Sequence, residues 1–259
     1  MKELYPVRLN GVGLNAIDAR FHVADVEEEG PKIKVTTQSR AKYDGLRMMR
    51  RERETRRIIV HVVLWERDKM KRLALYDKLV EWAENGGMLT LGYRNGQQIR
   101  VECTELPDIS GRDWKEEMDV AFTAYDPYWR GLDPVATSVS TAAGQVATAY
   151  LRPRGTARHT FLEFEITNNS SSVIGSASIS VNGYSFVLQD ISLGPGRALA
   201  ASYDEHGFLT LKVDGTSVMD KRTADSADDL VIMQRESNEI TIVTDQAARA
   251  RLLAWEQWL

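Results

Sequence analysis

Four histidines, one cysteine and a few close carboxylate pairs are the residues of this chain that could carry chemistry. A zinc centre needs nitrogen and sulfur ligands at helix or loop spacing. His22, His61, His159 and His206 fall in no H-x₃-H or H-E-x-x-H arrangement, and no second cysteine joins Cys103. His61 interrupts an apolar run and reads as a hydrogen-bonded histidine in or beside a core. Acid–base catalysis needs two carboxylates facing one substrate. Glu116 and Glu117 are neighbours on a strand-like segment, so they point to opposite faces, and Asp228-Asp229 would do the same if extended. Neither G-x-S-x-G nor G-x-x-x-x-G-K-[ST] occurs. Gly11-Val12-Gly13 is a fragment of a dinucleotide pattern with no helix signal after it. Asp25 with Glu27-Glu28-Glu29 lacks the spacing and shaping glycine of a calcium loop and reads as a solvated run. The expectation is a protein with no catalytic residue, no cofactor and no metal, hence not an enzyme.

Binding chemistry is better represented. Residues 47–57, RMMRRERETRR, are the most basic stretch. Three readings are open: a solvated loop with internal ion pairs, an inter-subunit contact, or a DNA contact. In the second, the guanidinium forks of Arg50, Arg51 and Arg53 would meet carboxylates of another copy. DNA is disfavoured, because no aromatic residue interleaves the charges and the chain carries a net charge of −4. Trp255 and Trp258, with Tyr184 and Tyr203 elsewhere in the same half, could stack a sugar or pack the last strand. No H-x-N-x-R-like strand accompanies them.

These residues must be held by something, and the pattern is mostly β. A lone cysteine makes no internal disulfide, so synthesis in a reducing cytoplasm is expected. The opening MKELYPVRLNGVGL lacks an apolar signal region, and no stretch approaches the ~20 apolar residues of a membrane helix. Neither signal-directed export nor membrane insertion is expected. Residues 31–43 read as a strand. Residues 58–65, IIVHVVLW, are apolar on both parities, which predicts a central strand covered on both sides. Residues 68–85 predict a helix capped by Asp68. One stripe holds Met70, Leu73, Tyr76, Val80 and Ala83, and a second holds Leu75, Leu79 and Trp82. Gly86-Gly87 would end it. A hairpin follows, with Asn95-Gly96 predicting a type I′ turn. Met118, Val120, Phe122 and Ala124 alternate with polar residues until Asp126-Pro127 stops the strand.

From residue 131 to 156 Ala, Ser, Thr and Gly dominate, and the segment reads as a linker. The remainder, 157–259, predicts a β-sandwich. Leu162, Phe164 and Ile166 alternate with glutamates, Asn182-Gly183 and Asp214-Gly215 supply turns, and residues 230–233 and 240–243 give further strands.

The order of pieces in the first half has a counterpart. It runs Asp44-Gly45, a charged segment, the strand Arg57-Ile58-Ile59-Val60, one helix ending in Gly-Gly over residues 68–87, a hairpin over 89–106, and the close Ala124-Tyr125-Asp126-Pro127-Tyr128-Trp129. Over residues 44–130 this string resembles the siphophage distal tail protein family. The ending ITIVTDQAARARLLAWEQWL resembles the family's last strands. The resemblance implies a mainly β fold. Residues 1–130 would be a ring-forming belt domain, a β-sandwich with one flanking helix and a hairpin, related to tail-tube subunits. Residues 157–259 would be a galectin-like or carbohydrate-module-like sandwich at the periphery. It further implies a homo-hexameric ring in the virion, at the tail tip, assembled in the host cytoplasm. The implied partners are the tail-tube protein, the tail hub or tail-associated lysin, and receptor-binding proteins, with DNA passing through the channel unbound. A carbohydrate-binding host-adhesion module is the alternative function.

Overall fold

The structure, a computed structural model, describes residues 6–39, 46–108, 115–204 and 207–259. Asp44-Gly45 and His206 lie outside the described residues. The chain is mainly β and divides into two compact units, the first ending at Leu132 and the second spanning Asp133–Trp258.

The first unit contains β1 (Val7–Leu9), β2 (Val12–Gly13), a four-residue helix α1 (Leu14–Ile17), β3 (Phe21–Glu28), β4 (Ile33–Ser39), β5 (Leu46–Arg53), β6 (Arg56–Trp65), α2 (Lys69–Ala83), β7 (Gly87–Leu91), β8 (Gln97–Glu105), β9 (Lys115–Ala124) and β10 (Trp129–Gly131). Its sheet runs β2-β1-β7-β8-β9-β6-β3, with β10 beside β8. β4 and β5 pair only with each other and form a separate two-stranded ribbon between β3 and β6.

The long strand β6 is central, pairing β9 and β3, but only one of its faces is covered. Ile58, Val60, Val62 and Leu64 are buried, whereas Ile59, His61 and Val63 are half-buried and Trp65 is exposed. The apolar run therefore does not mark a strand covered on both sides. Its second face stays open within the unit, and β-branched residues there favour the strand without a second layer.

Helix α2 starts as the cap predicts, with Asp68 accepting from the backbone N–H of Met70 and Lys71. Its covered face is Arg72, Leu75, Leu79 and Ala83. Trp82 meets Phe122 edge-on, with ring centroids 6.2 Å apart, and donates from Nε1 to the Val12 carbonyl at 3.1 Å. Of the other predicted stripe, Met70 is 73% exposed and Leu73 36%. Two apolar stripes on one helix cannot both face one sheet, and the better-centred one wins. Gly86 is required where it stands: its φ is +58°, and a Cβ there would meet the Val101 carbonyl oxygen at 2.3 Å.

The turn signals divide. Asn10-Gly11, Asn182-Gly183 and Asp214-Gly215 have positive φ at both positions, as a type I′ turn requires. Only Gly96 does so in the pair Asn95-Gly96, because this β7–β8 connection spans residues 92–96 and is too long for a two-residue turn. Gly11-Val12-Gly13 belongs to the β1–β2 hairpin, followed only by the single turn of α1.

The second unit contains β11 (Val135–Thr141), β12 (Ala147–Leu151), β13 (His159–Asn168), β14 (Ile174–Val181), β15 (Tyr184–Leu193), β16 (Ala198–Tyr203), β17 (Leu209–Val213), β18 (Thr216–Ser217), β19 (Val231–Met233), β20 (Asn238–Thr244), β21 (Ala248–Ala254) and β22 (Gln257–Trp258). One sheet runs β11-β21-β13-β16-β17-β18, with β19 on β13, and the other runs β12-β20-β14-β15. Phe164, Ile166 and Leu252 from the first sheet share one core with Ile179, Phe186 and Ile242 from the second. The segment 131–156, expected as a linker, carries β11 and β12, which pair along their whole lengths with β21 and β20. Backbone hydrogen bonding decides this, since small side chains weaken the apolar signal without preventing pairing.

The end of β3 is fixed by one carboxylate. Glu28 is half-buried and accepts from the buried Arg56 at 3.0 Å, from Arg94 at 2.7 and 3.0 Å, and from Trp129 Nε1 at 3.1 Å. Arg56 also donates from Nε to the Pro127 carbonyl at 3.0 Å, and the Arg94 guanidinium lies over the Trp129 ring. Burial would raise the Glu28 carboxyl, but Arg94 and Arg56 together hold it below the usual glutamate range. Removing one member of a buried pair strands the other. Glu28→Gln should therefore lower unfolding stability by about 3–5 kcal/mol at neutral pH, read from urea titration. A depressed carboxylate stabilises above its unfolded pKa, and that share disappears as pH falls through the lower folded value. Wild type should therefore lose stability below about pH 4.5 more steeply than Glu28→Gln.

Candidate interaction surface

The ribbon is the least covered element of the first unit. Its register sets Ile33 opposite Arg53, Lys34 opposite Glu52, Val35 opposite Arg51 and Thr36 opposite Arg50, and a bulge follows at Met49. Directly opposed residues share a face. One face thus holds Ile33, Val35, Arg51 and Arg53, continued past the bulge by Met48 opposite Thr37. The other holds Lys34, Thr36, Arg50 and Glu52. Ile33 and Val35 are each 49% exposed, and Met48 and Met49 more than half exposed. The basic stretch, read as a loop in one of its three readings, instead runs along β5 and, after Glu54-Thr55, into the start of β6.

The three candidate arginines do not act together. Arg50 is paired with Glu52 on its own face, and Lys34 lies 3.8 Å from Glu54. Arg53 has a long contact of 3.4 Å from Nη1 to the Tyr128 hydroxyl. Arg51 has no ionic partner among the described residues.

The open face of the main sheet has the opposite character. Register places Asp25 and Glu27 of β3, His61 of β6, and Glu117 and Asp119 of β9 on this side. His61 Nδ1 is 2.6 Å from Asp119 and Nε2 is 3.5 Å from Glu27. Arg57, on the same face, lies 2.6 Å from Glu105 and 3.9 Å from Glu29. This polar triad around His61 was not legible in sequence, since its members come from three strands. Both edges beside this face are free: β3 ends the sheet, and Glu102–Glu105 of β8 pairs only with β9 among the described strands.

Among the described residues no group of three or more His, Cys, Asp or Glu is arranged to hold a metal ion. Glu116 is buried and Glu117 exposed, on opposite faces of β9. Burial pushes the Cys103 thiol up, away from the reactive thiolate. His22 packs edge-on against Trp65, and His159 against Phe161. In the second unit Trp255 is half-buried and donates from Nε1 to Glu163 at 3.2 Å. Trp258 is half-buried on β22. Tyr184 lies on β15 of one sheet, while Tyr203 lies on β16 of the other, stacked on Phe161 at 5.0 Å. The four polar aromatics therefore do not form one platform.

No family model and no curated protein sequence matches the chain. Solved structures do match. SPP1 Dit (gp 19.1), described as a paradigm of the hub adsorption apparatus in phages infecting Gram-positive hosts, superposes with a TM-score of 0.73 at 12% identity, covering 99% of this chain and 100% of that one. A chain of the phage P2 baseplate in its activated conformation with calcium gives 0.55 at 8% identity, covering 97% of each. The chain has the fold of SPP1 Dit, as its resemblance to distal tail proteins implies.

The His61 triad makes a direct prediction. Partial burial alone would lower the histidine, but Asp119 and Glu27 outweigh it and raise its pKa above the ordinary value near 6.5. NMR titration should show a midpoint above 6.5 in wild type and a fall of the midpoint in Asp119→Asn. An unshifted midpoint in the variant would mean that Asp119 is not the cause.

Proposed function

We propose that this chain is a non-enzymatic structural protein of a long non-contractile phage tail. It would form a six-fold ring at the distal end of the tail tube, continue the DNA channel, and dock tail-tip or baseplate proteins. The observation that carries this reading is end-to-end agreement of fold with SPP1 Dit across both units.

The first unit has the properties a ring subunit needs. The strands β8, β9, β6 and β3 alternate in direction throughout. With an even number of antiparallel strands, β3 of one copy meets β8 of the next also antiparallel, so the same joint repeats around an axis. Such a head-to-tail contact closes into a ring when the rotation closes. The free edges at β3 and at Glu102–Glu105 supply the unpaired backbone groups for it. The covered side of this sheet carries α2, which leaves the acidic open face toward the axis. On that face Arg57 and His61 are already engaged by carboxylates. A passing polyanion would meet repulsion and few free cations, which favours sliding over sticking.

In this reading the first unit is the belt and the second is the peripheral sandwich. The partners are the tail-tube protein, the hub or tail-associated lysin, and receptor-binding proteins at the periphery. Assembly would take place in the host cytoplasm, with no membrane insertion and no cofactor. Native mass measurement and negative-stain imaging of purified chain test it: a six-subunit ring with an open centre is expected. A chain that stays monomeric, alone and with tail-tube protein, overturns the reading.

A further inference from the structure

Two of the uncovered surfaces of the first unit have complementary chemistry. The first is the ribbon face with Ile33, Val35, Arg51 and Arg53. The second lies on α2, on the side away from the sheet. Met70, Leu73, Asp77, Glu81 and Glu84 follow at three- and four-residue spacing and form one stripe. All five are exposed, the two apolar residues at the start and the three carboxylates toward the end. Asp77, Glu81 and Glu84 have no ion pair among the described residues. Lys78, the neighbouring cation, is directed to Asp18 instead, at 3.7 Å.

We propose that, in the ring, the apolar–cationic face of one copy's ribbon lies along the apolar–acidic stripe of the next copy's α2. The proposal rests on the ring reading above and names the contact that would reinforce it. Each surface carries exposed apolar side chains beside unneutralised charge of one sign, and the signs are opposite. Their lengths agree: seven strand residues span about 24 Å, and the fifteen residues of α2 about 22 Å. The two patches are different parts of one chain, as a head-to-tail ring contact requires. A two-stranded ribbon with both faces in water is marginal by itself, so an occupant of its apolar face would also stabilise it. The occupant is a second copy because the matching acidic stripe is present on the chain itself. The other ribbon face is set aside, since its Arg50 is paired with Glu52 and its register positions Lys34, Thr36, Arg50 and Glu52 are all polar.

The experiment is a charge-reversal cycle read by native mass measurement and sedimentation, with circular dichroism confirming the fold of each variant. The wild-type ring is measured first, and its absence overturns the ring reading together with this one. Given a wild-type ring, R51E/R53E and D77R/E81R should each weaken assembly at least tenfold. Combining all four should restore it to within about threefold of wild type. R50E should assemble like wild type. Rings that persist in both reversed pairs overturn the contact while leaving the ring reading intact. Loss of the ring in both pairs without recovery in the combination also overturns it, because the two surfaces would matter without meeting.

Discussion

The carboxylate of Glu28 is the constraint on which the first unit turns. Four segments distant in sequence meet on it: the end of β3, the start of β6 through Arg56, the β7–β8 connection through Arg94, and β10 through Trp129. Two guanidiniums around one carboxylate leave an excess of positive charge in a half-buried place, which is costly. It is tolerated because the bonds are directional and because Arg56 finds a second acceptor in the Pro127 carbonyl. The desolvation cost of such a cluster offsets much of its Coulombic gain, while its directional bonds tie these four segments to one geometry. The geometry it chooses is where β3 stops, where β6 begins, and hence where the ribbon leaves the sheet.

What lies beyond that point is organised by coverage. The inner face of the sheet and one stripe of α2 are closed to water. The outer sheet face, both ribbon faces and the opposite stripe of α2 are open. Scattered exposed apolar residues are ordinary on a protein surface. Here they are aligned, on a ribbon with no second layer and on a helix whose buried side is already complete. Alignment of apolar groups with charge of a single sign is the pattern of a surface that is covered in an assembly.

Much of the architecture was readable from residues alone, and the exceptions have physical causes. The cap at Asp68, the Gly86-Gly87 stop and the turns at Asn182-Gly183 and Asp214-Gly215 are local chemistry, so the sequence states them directly. The strand 115–124 was legible because strict alternation admits one face only. Strands β11 and β12 were hidden because alanine, serine and threonine pair well in a ladder while giving little apolar contrast. The open face of β6 is not readable in the sequence, because periodicity reports which residues favour a strand, and not how many layers surround it. The charge of the basic segment is plain in the sequence, but its division into a neutralised face and an unneutralised one depends on the β4–β5 register. Nothing in the linear order sets Arg51 with Val35 and Arg50 with Thr36. The bulge at Met49 that fixes this register is equally silent in sequence.

The same asymmetry explains how a fold can be shared end to end at 12% identity. A sheet needs alternation, a cap and a few turns, and many sequences supply these. Contacts between copies ask for something different: two surfaces that match each other. A change on one can be answered by a change on the other, so the pair drifts while the match is kept. Contact residues therefore cannot be carried by position from SPP1 Dit to this chain. They have to be sought on this chain's own uncovered faces, where, among the described residues, Arg51 lacks an ionic partner on the ribbon and Asp77, Glu81 and Glu84 lack one on α2.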